Sequence, residues 1–164
     1  MMLTMKSLFS LIVCIFVSIP LYVQCGQSKP LLVPNPEIYE SFLLSAWNPD
    51  KPSLVVFKDP SCPYCIRDLK KRGQLSNYNV FLFWSPILGQ RSVDHVNSFF
   101  QCDSSSGKDV LDAVINRAKP NCRGLLKSER FELNRQIVEV YNPNSVPQYW
   151  FGGRQVSLAN LNLS

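Results

Sequence analysis

The sequence predicts an α/β domain made of a β-α-β unit, a helical insertion and a closing β-hairpin. Three observations predict it. Two runs of strand length, 53–57 (SLVVF) and 79–84 (NVFLFW), are apolar or β-branched almost throughout, the pattern of strands covered on both faces. Between them a helical pattern carries Ile66 and Leu69 on one face, with Gly73 as its expected stop, so the two strands should run parallel across a right-handed crossover. Near the C-terminus, 148–151 and 155–158 flank Gly152-Gly153-Arg154, the layout of a hairpin turned on glycine.

The elements follow in chain order. Lys6 precedes an apolar run over 8–23, with Pro20 near its end and polar sequence after Cys25, which reads as a secretory signal over 1–25. The run is shorter than the roughly 20 residues of a membrane span. Tyr22-Val23-Gln24-Cys25 also admits a lipidation site with Cys25 acylated, although Gln24 is bulky for one. Residues 26–52 read as a linker and a short helix: Pro30, Pro34 and Pro36 favour extended chain, then Ile38, Phe42, Leu43 and Ala46 recur at helical spacing until Asn48-Pro49-Asp50. Residues 53–164 form the main domain. Its insert, about 87–142, holds helical patterns at 93–100, 110–118 and 131–141, separated by Ser104-Ser105-Ser106-Gly107 and Lys119-Pro120-Asn121.

Composition narrows the function classes. With 164 residues, 46% hydrophobic and 18% charged, the chain is suited to a single domain and not to a disordered, collagen-like or coiled-coil protein. Seventeen Lys and Arg against 12 acids give +5, but the charge is scattered, so no phosphate-tracking stripe exists and nucleic acid is not an expected partner. A cut after Cys25 removes Cys14 and Cys25 with the signal and leaves Cys62, Cys65, Cys102 and Cys122, an even set that suits an oxidising compartment.

The chemistry is expected at Cys62-Pro63-Tyr64-Cys65, directly after the first strand and at the start of the helix. A C-x-x-C beside a β-α-β pattern is the arrangement of a thioredoxin-like redox centre. Cys62 falls at the N-cap, where free backbone N–H groups and the helix dipole favour a thiolate, and Pro63 fits the first turn, where its missing N–H costs nothing. Cys65, on the face of Leu69, should be the less exposed thiol and resolve a mixed disulfide. Two alternatives stand beside this one: an inert bridge, or half of a zinc site, for which Cys102 and Cys122 lack ligand spacing. His95, the sole histidine, reads as a helix-surface residue and receives no role.

Together with the helical insert, the two later cysteines, Val146-Pro147 and the glycine hairpin, the run VVFKDPSCPYC resembles the catalytic domain of the bacterial periplasmic disulfide isomerases DsbC and DsbG, over about 53–157. The resemblance implies a thioredoxin-like fold with a helical insertion between the β-α-β unit and a cis-proline strand. It implies that Pro147 is cis, that Val146, Pro147 and Tyr64 meet the substrate, and that Cys102 and Cys122 form a structural disulfide. It also implies thiol:disulfide exchange without a cofactor, on exported disulfide-containing clients, with a DsbD-like or DsbB-like membrane redox partner, in the periplasm. There are departures. Residues 26–52 are too short for the isomerases' dimerisation domain, which predicts a monomer; Val146 before the proline is more similar to DsbA, and Pro-Tyr within the motif is more similar to glutaredoxins. The reading from another class is an exported binding or chaperone module whose disulfides are only structural.

Overall fold

The computed structural model describes residues 33–100, 111, 112, 114–116 and 129–161. The signal region with Cys25, and both Cys102 and Cys122, lie outside them. In chain order the elements are β1 (Ser53–Lys58), α1 (Pro63–Lys70), β2 (Asn79–Trp84), α2 (Gln90–Phe100), α3 (Glu129–Tyr141), β3 (Gln148–Phe151), β4 (Arg154–Val156) and α4 (Leu158–Leu161). Leu111, Asp112, Val114 and Ile115 are also helical.

The sheet has the order β2-β1-β3-β4. β1 pairs parallel with β2, from Ser53 opposite Asn79 to Lys58 opposite Trp84, and antiparallel with β3, where Phe57 lies opposite Gln148. Every residue of β2 and all but the first of β1 are buried, as their unbroken apolar sequence requires. β3 and β4 form the expected hairpin, with Gly152 at φ 55° and Gly153 at φ 77°, a pair of left-handed positions that glycine adopts without a Cβ clash. The core joins the sheet to its helices through Phe57, Phe81, Phe83, Leu69, Val96, Phe99 and Ile137.

Three expectations need correction. Residues 37–47 do not form a helix: a single 3₁₀ turn at Glu40–Phe42 is followed by extended chain at Leu43, which bridges to Phe81, while Leu44 N–H donates to Val80 O at 3.0 Å. The outer edge of β2 offers unpaired backbone groups, and satisfying them outweighs continuing a helix. Tyr39 and Phe42 still pack inward, Phe42 stacking on Phe83 at 4.9 Å, whereas Ile38 and Trp47 are exposed. The same edge is closed further on by Asn134 of α3, whose amide accepts from Trp84 N–H at 2.8 Å and donates to Trp84 O at 2.9 Å.

Gly73 does not stop α1. The helix ends at Lys70, and Gly73 lies inside a second 3₁₀ turn, Arg72–Leu75, that returns Leu75 and Tyr78 to the core. The last strand is also shorter than expected, because Leu158 begins α4 instead of ending β4. α2 and α3 begin before the periodicity suggested, at Gln90 and Glu129. α3 ends at Asn142, left-handed at φ 45°, whose N–H returns to Val138 O, with Pro143 next in sequence.

Candidate active site

β1, α1 and the start of β3 converge on Cys62. The residue is extended (φ −80°, ψ 117°) and caps α1, with Pro63 in the first turn. Its Sγ accepts from Cys65 N–H at 3.4 Å, as an N-cap side chain accepts from an otherwise unpaired donor. The Val146–Pro147 bond is cis, as the resemblance implied. Because Phe57 lies opposite Gln148, that bond sits beside the end of β1. Cys62 Sγ lies 3.9 Å from Val146 O. Cys62, Cys65, Val146 and Pro147 are thus one cluster. Tyr64 points away from it into solvent, 63% exposed, with the Arg67 guanidinium 4.8 Å over its ring.

The expected contrast in exposure between the two thiols is small: Cys62 is 4% exposed and Cys65 fully buried, and both are free thiols. Their difference is chemical. Burial pushes the Cys65 thiol far above its ordinary value of 9.0; the hydrogen bond and charge of Cys62 push the same way, while Asp59 N–H and Lys58 only partly offset them. A thiol held neutral in the folded state but free to ionise in the unfolded one stabilises the fold fully below pH 9 and loses that contribution as pH climbs above it. The reduced protein should therefore lose stability between pH 8 and pH 10, and Cys65→Ala should lose less. Urea midpoints at the two pH values measure both, and parallel losses would disprove the assignment.

Sequence reasoning missed the polar residues that surround the thiols. Lys58, 1% exposed at the end of β1, donates to Asp68 Oδ2 at 3.0 Å and to the Tyr149 hydroxyl at 2.5 Å, and that hydroxyl donates to Asp68 Oδ2 at 2.7 Å. Asp68 stands three residues after Cys65 on α1, and Tyr149 two after Pro147. Burial lowers the Lys58 ammonium, which Asp68 opposes, and raises the Tyr149 phenol. Asp68, Pro147 and Tyr149 then line an open groove of about 670 Å³ with Gln155, Val156, Ser157 and Leu158.

On the other side, the fully buried Asp59 carboxylate accepts from Ser61 N–H at 2.7 Å, Ser92 Oγ at 2.9 Å and Leu88 N–H at 3.1 Å. Its own N–H donates to Cys65 Sγ at 3.4 Å. One residue thereby fixes the loop before Cys62, the buried thiol and the first turn of α2. A Lys-Asp pair closing an otherwise apolar strand was the sequence signal for both networks: charges are seldom buried unless they are partnered.

Among the described residues no cluster of three or more His, Cys, Asp or Glu is placed to hold a metal ion, and no helix is long and apolar enough to cross a membrane.

No family model matches the chain, and no curated protein matches it significantly. Solved structures do. A disulfide interchange protein from Neisseria gonorrhoeae is similar at a TM-score of 0.54 and 22% identity, over 71% of this chain and 84% of that one. Proteus mirabilis ScsC in a transitional conformation is similar at 0.52 and 17% identity, over 78% of this chain and 73% of that one. At these identities the likeness establishes the fold, which is thioredoxin-like.

Proposed function

We propose that the protein is a thiol:disulfide oxidoreductase acting on exported proteins, with Cys62 as nucleophile and Cys65 as resolving thiol. The observation that carries this reading is the position of Cys62: at the N-cap of α1, with a backbone donor on its sulfur and the cis Val146–Pro147 bond alongside. Cys62 thiolate attacks a client disulfide, forming Cys62–S–S–client and releasing one client thiolate, which takes a proton from water. Cys65 gives its proton to water and attacks Cys62 Sγ, releasing the second client thiolate, which is protonated from water in turn. The client disulfide has become a dithiol and the enzyme dithiol a disulfide; the reverse sequence donates a disulfide.

The Neisseria gonorrhoeae neighbour is described as a disulfide interchange protein, which agrees with this class. Within it, the DsbC/DsbG type rests on the VVFKDPSCPYC run and the insert. Val146 and Pro147 are the client-facing backbone, and Tyr64, exposed on α1 and turned away from the thiols, offers the client a further ring. A membrane redox protein of the DsbD or DsbB kind would reset Cys62 and Cys65, in the periplasm, with the domain working as a monomer. Cys102 and Cys122, outside the described residues, are assigned to a structural disulfide in the insert.

Thiol labelling after mild reduction tests the function. Cys62 should react with iodoacetamide at neutral pH at least ten times faster than Cys65, since one thiolate is supported by an N-cap donor and the other thiol is held neutral by burial. Equal, slow labelling of both would leave only a structural pair and disprove the enzyme.

A further inference from the structure

His95 is a titratable group beside the loop that carries the candidate nucleophile, and the exchange mechanism above leaves it unused. It lies half-buried on α2, and its Nδ1 is 3.3 Å from Ser61 Oγ, the side chain immediately before Cys62. That approach is built by the fold. Asp59 takes hydrogen bonds from both Ser61 N–H and the buried Ser92 hydroxyl, so the loop before Cys62 and the first turn of α2 are tied to one carboxylate. His95 follows Ser92 by three residues, which puts both on one face of the helix.

The charged surroundings of the pair are few. From the end of β1 and the loop after it come the Lys58 ammonium, paired with Asp68 and interacting electrostatically with Cys62 and Cys65, the Asp59 carboxylate and the Cys62 thiol. On its own helix are Arg91, one turn earlier and exposed, and Asp94, exposed and held by Gln90 Nε2 at 2.9 Å. β2, which packs against α2 through Trp84 and Phe99, has no carboxylate or basic group. On α3, Arg130 stands over Phe42 and Phe100, Glu132 and Glu139 pair with Arg135, and Glu129 is exposed. The thiolate of Cys62 and the carboxylate of Asp59 are therefore the anions best placed to feel an imidazolium at position 95.

We propose that His95 is a positioning residue that sets the pH range of Cys62: protonated, it favours the thiolate through the Ser61 contact and keeps attack on disulfides fast in mildly acidic surroundings. The hydroxyl suits both states of the ring. Ser61 Oγ–H donates to the bare Nδ1 of neutral imidazole, and Ser61 Oγ accepts from Nδ1–H of imidazolium, so protonation changes the charge beside Ser61, the neighbour of Cys62 in the chain, without breaking the contact. The proposal deepens the redox reading and depends on it.

The test uses the full reduced protein, with iodoacetamide labelling of Cys62 followed by peptide mass analysis from pH 5 to pH 9. The parent should show two inflections, the lower belonging to the imidazole. His95→Gln should remove the lower one and slow labelling at pH 6 by about three- to ten-fold, with little change at pH 8. Superimposable profiles would overturn the proposal while leaving fast Cys62 labelling, and with it the oxidoreductase reading, intact; slow Cys62 labelling in every protein would overturn the oxidoreductase reading instead. NMR titration needs no substitution. As the only histidine, His95 gives a single imidazole signal, and linkage requires it to titrate at higher pH in reduced than in oxidised protein. Equal midpoints would overturn the proposal even if His95→Gln failed to fold.

Discussion

Cys65→Ala is expected to accumulate covalent adducts with exported proteins through Cys62, while Cys62→Ala accumulates none and loses disulfide exchange by about a thousand-fold or more. The asymmetry follows from where α1 begins. Cys62 Sγ caps the helix beside the cis Val146–Pro147 bond, where a client disulfide can approach along the start of β3. Cys65 lies one turn in, fully buried, with Asp59 N–H on its sulfur and its proton retained by burial. Removing Cys65 leaves attack intact and removes, among the described residues, the only other thiol that can displace the client, so the mixed disulfide persists. Non-reducing gels of acid-quenched cells, with and without dithiothreitol, read the adducts. Equal trapping by both single variants would reverse or erase the division of roles.

The frame of this site was legible in the sequence because it depends on short-range patterns. The apolar runs of β1 and β2, the glycine pair of the hairpin and the position of Pro63 each report a local requirement, and β2 and β3 begin and end where those patterns do. The polar support was not legible, because its partners are distant in sequence. Lys58 meets Tyr149 ninety-one residues on, and Asp59 meets Ser92 thirty-three residues on. Nothing at either position names its partner. The helix expected over 37–47 failed for a similar reason: spacing of Phe42 and Leu43 reports that both are apolar, but not that an unpaired sheet edge at Val80 and Phe81 competes for their backbone. His95 was passed over because its importance arises only once Asp59 has joined α2 to the loop before Cys62.

Lys58→Met should destabilise the protein by about 2–4 kcal/mol, although methionine fills nearly the same space as the lysine stem. The loss comes from charge, not from a cavity. In the parent, the ammonium is buried and donates to both Asp68 and Tyr149, so the cost of desolvating it is offset by two hydrogen bonds and a carboxylate. Without it, Asp68 keeps only the Tyr149 hydroxyl as partner and stays 21% exposed, which limits the penalty below that of a fully buried orphan charge. A second substitution separates this account from a packing effect. Asp68→Asn removes the stranded charge while its amide oxygen still accepts the Tyr149 hydroxyl, so Lys58→Met with Asp68→Asn should recover about 1–2 kcal/mol relative to the sum of the single changes. The lysine charge also partly offsets the burial that holds the Cys65 proton, so its removal should lengthen the lifetime of the Cys62 mixed disulfide. Urea midpoints at pH 7 and a quenched time course of adduct decay give the two readouts. A Lys58→Met protein as stable as the parent, or a double variant no better than additive, would mean that the buried triad contributes nothing beyond its volume.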